Sequence, residues 1–70
     1  MRKDAAENHK ALVEAATTLI AQMGPKVSLR TIAKEAEVGV ATASRHFPTK
    51  DDLYRAVLEN TIDKMRAIVD

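Results

Sequence analysis

A chain of 70 residues has room for one domain. At that length only about 60% of the unfolded surface is buried on folding, so the core must be built from closely spaced small and aliphatic side chains. There is no cysteine, which excludes disulfides and thiolate metal sites as sources of stability, and Phe47 and Tyr54 are the only Phe, Tyr or Trp residues. The net charge of +1 excludes no partner, but its placement is uneven: Lys26, Arg30, Lys34, Arg45 and Lys50 against Glu35 and Glu37 put residues 26–50 at +3, whereas Arg55, Lys64 and Arg66 against five acidic residues put 51–70 at −2.

The first helix is predicted from about Ala5 to Met23. Leu12, Val13, Ala16, Leu19, Ile20 and Met23 recur at spacings of three and four and share one face. Gly24-Pro25 stops it, the glycine by adopting left-handed geometry and the proline by breaking the hydrogen-bond ladder. Ser28 then caps a short second helix, whose Leu29, Ile32, Ala33 and Ala36 form a narrow apolar face ending near residue 36. Glu37-Val38-Gly39 makes a tight connection, with Gly39 expected as both pivot and cap. A third helix follows from about Val40 to His46 and closes at Phe47-Pro48, because a residue before proline is pushed out of helical geometry. Thr49 caps the fourth, Asp51 and Asp52 complement its dipole, and Leu53, Tyr54, Val57, Leu58, Thr61, Ile62, Met65 and Ile68 keep the helical period. These periodic apolar residues are assigned to the core. No C-cap is present and Asp70 has the wrong charge for a helix end, so this helix is expected to lead into a further part of a longer protein. No strand, repeat or low-complexity stretch is legible.

Function is concentrated in the 20 residues Ser28 to Phe47. Two short helices across a three-residue turn can cross steeply and push the second outward, with Val38 and Phe47 pinning it to the core. Its free face is then Val40, Ala41, Thr42, Ser44, Arg45 and His46, small at the front and hydrogen-bonding behind. Small side chains let a helix approach base edges; Val40 and Thr42 can touch a thymine methyl, and Arg45 can reach guanine or a phosphate. Free N–H groups at the starts of helices two and four, the hydroxyls of Ser28 and Thr49, and the charges of Arg30 and Lys50 supply phosphate contacts.

Other readings of single residues are blander. His9 and His46 have no partners at metal-ligand spacing, and Asp51-Asp52 reads as a helix cap and not as a catalytic carboxylate pair. Arg2 and Lys3 read as a solvated tail or a flexible arm on DNA, and Arg55, Lys64 and Arg66 as surface charge. Tyr54 reads as a core-edge residue, with a phosphate near its hydroxyl as the lesser reading. No nucleophile–base pair, glycine-rich phosphate loop or metal cluster points to an enzyme, so no cofactor is expected. The alternative to DNA binding is a helical protein-interaction module, which requires large exposed apolar residues over 40–46; Val40 and Ala41 are too small for that. The longest apolar run falls far short of the roughly 20 residues that span a bilayer, and Met1-Arg2-Lys3-Asp4 does not lead into a secretion signal, so a cytoplasmic location is expected.

At this point the chain resembles the N-terminal domain of TetR-type transcriptional repressors. The likeness covers roughly residues 9–58. It rests on the alanine-rich first helix ending in Gly24, on Ser28-Leu29-Arg30-Thr31-Ile32-Ala33, on Val38-Gly39-Val40-Ala41-Thr42, and above all on Arg45-His46-Phe47-Pro48-Thr49-Lys50-Asp51-Asp52-Leu53. The resemblance implies an all-α fold: a three-helix, homeodomain-like helix-turn-helix bundle plus a fourth linker helix. Residues 1–48 would be the DNA-binding domain, with the motif at 28–47. Residues 49–70 would begin the link to a C-terminal domain, absent here, that binds a small effector and forms a homodimer. It further implies a ligand-released repressor on a palindromic operator, working in the bacterial cytoplasm at the nucleoid. Arg30, Val40, Ala41, Thr42, Ser44, His46 and Lys50 match positions that commonly touch DNA in that family. Three residues depart from its pattern. Glu37 stands where glycine is usual, which implies a tighter or shifted turn. Ala43 stands for leucine and leaves core space smaller; full burial without collapse would forfeit about 2–5 kcal/mol of packing. Ser44 stands for a tyrosine that often contacts phosphate.

Overall fold

The computed structural model of the chain describes residues 4–69, with side chains placed through residue 67. Four helices follow one another: α1 Ala5–Met23, α2 Leu29–Ala36, α3 Val40–His46 and α4 Lys50–Val69, and no strand occurs among the described residues. Three of the four open on a side chain that satisfies a free backbone N–H. Asp4, which the sequence pattern had not singled out, accepts from the Glu7 amide at 2.8 Å. Ser28 accepts from Thr31 at 3.2 Å. Thr49 accepts from the Asp52 amide at 3.2 Å while its own hydroxyl donates to the Asp52 carboxylate at 3.0 Å, a reciprocal pair at the α4 start. α3 opens at Gly39 with no side-chain cap.

The two helix ends before turns need positive φ. Gly24 sits at φ 89°, ψ 175°, beyond the left-handed helical region that was expected and in territory open essentially to glycine; its amide still donates to the Ile20 carbonyl. After α2 the left-handed position falls on Glu37, at φ 59°, ψ 41°. The Val38 amide reaches the Ala33 carbonyl at 2.9 Å and the Glu37 amide reaches Lys34 at 3.1 Å, which is the Schellman closure. The pivot is therefore Glu37 and not Gly39, whose φ of −62° and ψ of 145° suit any residue. The closure keeps the length of a glycine-based turn and carries the strain of a side chain in its place.

The core forms where α1 meets α2, α3 and α4 and where α2 meets α3. Leu12, Ala16, Ile32, Ala33 and Ala43 are completely buried, and Val38, Phe47 and Leu53 nearly so. Ala43 has a methyl where the family pattern has leucine, and the packing closes over it without leaving it accessible. α4 turns Leu53, Ala56, Val57 and Asn60 toward α1; Asn60 donates to the Thr17 hydroxyl at 3.0 Å, and the Lys64 ammonium meets Glu14 at 3.0 Å. That ion pair is half exposed and contributes at most about 1 kcal/mol.

Four periodic apolar residues assigned to the core lie outside it: Met23, Leu58, Ile62 and Met65 are 62%, 62%, 48% and 59% exposed. Met23 is the last residue of its helix. The other three follow one another at four and three residues on the side of α4 turned away from α1, where none of the described elements reaches. Arg2, Lys3 and Asp70, and the side chain of Ile68, lie outside the described residues.

A left-handed residue with a Cβ costs about 1–2 kcal/mol. Glu37→Gly should therefore stabilise the domain by about 1 kcal/mol and raise Tm by about 4–8 °C, whereas Gly39→Ser, entering open space, should change Tm by no more than about 3 °C. Thermal unfolding followed by circular dichroism reads both.

Candidate nucleic-acid interface

α3 is seven residues long and has one seat and one free side. Successive residues step by 100° around a helix, so Ala43 and the adjoining Phe47 point the same way, and both are buried, at 0% and 4% exposed. Val38, just before the helix, is buried as well. These three grip the segment from both ends. Ala41, Ser44 and Arg45 are exposed away from that seat and Val40 is exposed at the start of the helix, while Thr42 and His46, one turn apart, lie half-buried along the flank toward α1. Arg45 donates to the Thr42 hydroxyl at 3.2 Å, which holds the guanidinium against the helix surface.

The remaining candidate residues bracket this helix. Arg30 is exposed in the first turn of α2, and Lys50 is exposed as the first residue of α4. Leu29, Phe47, Pro48, Thr49, Lys50 and Leu53 line one cleft of about 120 Å³, which brings the beginnings of α2 and α4 to the end of α3. The hydroxyls of Ser28 and Thr49 are already engaged in capping, and Ser28 also meets the Thr31 hydroxyl at 3.0 Å. What these helix starts offer an anion is chiefly their backbone N–H groups and the Lys50 charge.

Two residues take roles that spacing did not reveal. The Tyr54 hydroxyl donates to the Pro25 carbonyl, fastening α4 to the turn after α1, so its proton is committed within the fold and not offered to a phosphate. His9 on α1 lies with its ring centroid 5.0 Å from Phe47 and 5.5 Å from His46. Neither contact has a local signature, since each joins residues distant in the chain. Among the described residues no group of three or more metal-ligating side chains assembles, and no helix is long and apolar enough to cross a membrane.

A short helix held by its buried side after a Schellman turn, with small and cationic residues facing out, defines a helix-turn-helix DNA-binding domain. Residues 12–57 match the family described as bacterial regulatory proteins, tetR family, and the chain belongs to that family. It is a DNA-binding regulator domain. It is similar to HTH-type transcriptional regulators of Staphylococcus aureus strains USA300, COL and N315, each 41% identical over 64 residues that cover 90% of this chain and 35% of the relative. The chain thus spans about a third of the length of these relatives. No solved structure matches it.

Seat and free side should separate cleanly on mutation. Phe47→Ala should cost about 3–5 kcal/mol, much of what a domain of this size has, and Arg45→Ala should stay within about 0.5 kcal/mol of the native protein in urea unfolding.

Proposed function

We propose that this chain is the operator-reading domain of a ligand-released repressor, with α3 lying in the major groove of double-stranded DNA. The observation that carries the reading is the exposed surface of α3, where the small residues Val40, at the helix start, and Ala41 permit close approach and Arg45 stands on the same side as Ala41. In this reading Val40, Ala41, Thr42 and Arg45 meet base edges, and Ser44, His46, Ser28, Arg30, Thr49 and Lys50 position the phosphate backbone. Residues 1–48 form the DNA-binding unit and 49–70 the connection to an effector-binding, dimerising region. The domain acts by binding and not by catalysis; its paired carboxylates, Asp51 and Asp52, serve the start of α4, where Asp52 is held by Thr49. Its place of work would be the nucleoid in the bacterial cytoplasm.

The intact protein would be a homodimer that sets two α3 helices into successive major grooves of a palindromic operator, roughly 34–36 Å apart. The exposed Leu58, Ile62 and Met65 stripe on α4 suits it to seat that further region. Because Asn60 and Lys64 tie α4 to Thr17 and Glu14 of α1, a shift of α4 on effector binding would carry the reading head with it and change the separation of the two α3 helices. A single domain should bind weakly, since linkage of half-sites multiplies affinity.

Titration of the chain with a pool of duplexes, followed by NMR, tests the reading. Arg45→Ala and Thr42→Ala should each weaken binding to the preferred duplex by about 1–3 kcal/mol and relax sequence preference, while Lys50→Ala should weaken all duplexes and lower the salt slope by about 1. Absence of salt-dependent shifts over residues 28–50 would overturn it.

A further inference from the structure

His9 is used by nothing described so far, yet it occupies a defined place. Its ring is inclined at 32° to that of Phe47, centroids 5.0 Å apart, and at 55° to that of His46, centroids 5.5 Å apart. Phe47 is buried and gives the two imidazoles a fixed floor. His9 is exposed and His46 half-buried on the flank of α3. Among the described residues, no hydrogen bond engages either imidazole. Both rings are therefore available to a ligand at the flank of α3. Imidazole is the side chain whose charge changes between about pH 5 and 8, and its charged form donates from both ring nitrogens to an anion.

We propose that His9 and His46 together form a proton-linked contact for one backbone phosphate, so that binding of a duplex is accompanied by uptake of a proton at the pair. This rests on the DNA-binding reading of α3 and adds a residue of α1 to it. Charged groups of both signs stand around the pair. His9 borders a groove built from α1 and α4, with Lys10 and Glu14 on the first and Glu59 and Asp63 on the second. Arg45 precedes His46 on α3, and Lys50 begins the next helix. Glu14 is engaged by Lys64. The cations of α3 and α4 favour a phosphate at the pair, against the exposed and solvent-screened carboxylates of Glu59 and Asp63.

The test is duplex affinity measured at constant ionic strength between pH 5.8 and 7.8, on the 70-residue chain and on His9→Gln, His46→Gln and His9→Lys. One linked proton allows at most a tenfold change per pH unit. The native chain should bind about fivefold or more tighter at pH 5.8 than at pH 7.8. His9→Gln and His46→Gln should each flatten that dependence to about twofold or less, with unchanged circular dichroism. His9→Lys, permanently charged, should bind at pH 7.8 within about twofold of the native chain at pH 5.8. Equal pH slopes in the native chain and His9→Gln, with salt-dependent binding intact in both, would overturn the proton-linked pair and leave the DNA-binding reading standing. Loss of all duplex binding by the native chain would overturn both.

Discussion

Every other element of this domain is placed by the face that α1 turns inward. Leu12, Val13, Ala15, Ala16 and Leu19 lie buried along it, and α2, α3 and α4 all pack there. Small residues dominate the contacts: Ala15 and Ala16 on α1, Ala33 and Ala36 on α2, Ala43 on α3. Alanine brings helix backbones close and loses no side-chain entropy on burial, which suits a chain whose largest completely buried side chains are Leu12 and Ile32. A core this economical has little to spare, since small domains are stable by only several kcal/mol.

From that packing comes the division of α3 into a gripped side and a presented side. Ala43 and Phe47 supply the grip, and Phe47 does more than fill space. It borders the cleft that joins the beginnings of α2 and α4, and it carries the His9 and His46 rings. Reading DNA through α3, as proposed above, needs a helix that is rigid and yet solvent-facing, and Ala43 and Phe47 hold it without using any of its outward residues. α4 has the same two-sided character on a larger scale. Its Leu53, Ala56 and Val57 side belongs to the core, while the Leu58, Ile62 and Met65 side has no partner among the described elements.

The helix limits were legible because they depend on neighbours in sequence. Ser28 and Thr49 each satisfy an amide three residues on, and Gly24-Pro25 and Phe47-Pro48 interrupt the ladder by their own covalent geometry. The Asp4 cap follows the same local rule and could have been found from its Glu7 partner three residues later. The turn after α2 was harder to read. Glycine at 39 drew the pivot to itself, whereas the carbonyls of Ala33 and Lys34 demanded a left-handed residue at 37, and the chain supplies glutamate there. Periodicity also could not divide the apolar residues of α4 between two faces, because Leu53, Leu58, Ile62 and Met65 all fit a helical repeat.

By itself, then, the order of residues determined four helices, the caps at Ser28 and Thr49 and the pair of short helices α2 and α3 joined by a tight turn, since these follow from backbone hydrogen bonding within a few positions. Tertiary packing decided which side of each helix is covered, that Tyr54 spends its hydroxyl on Pro25, and that His9 stands beside His46. Such contacts join residues far apart in the chain. Their energy exists only once α1 has gathered the other helices around it, and no local pattern encodes it.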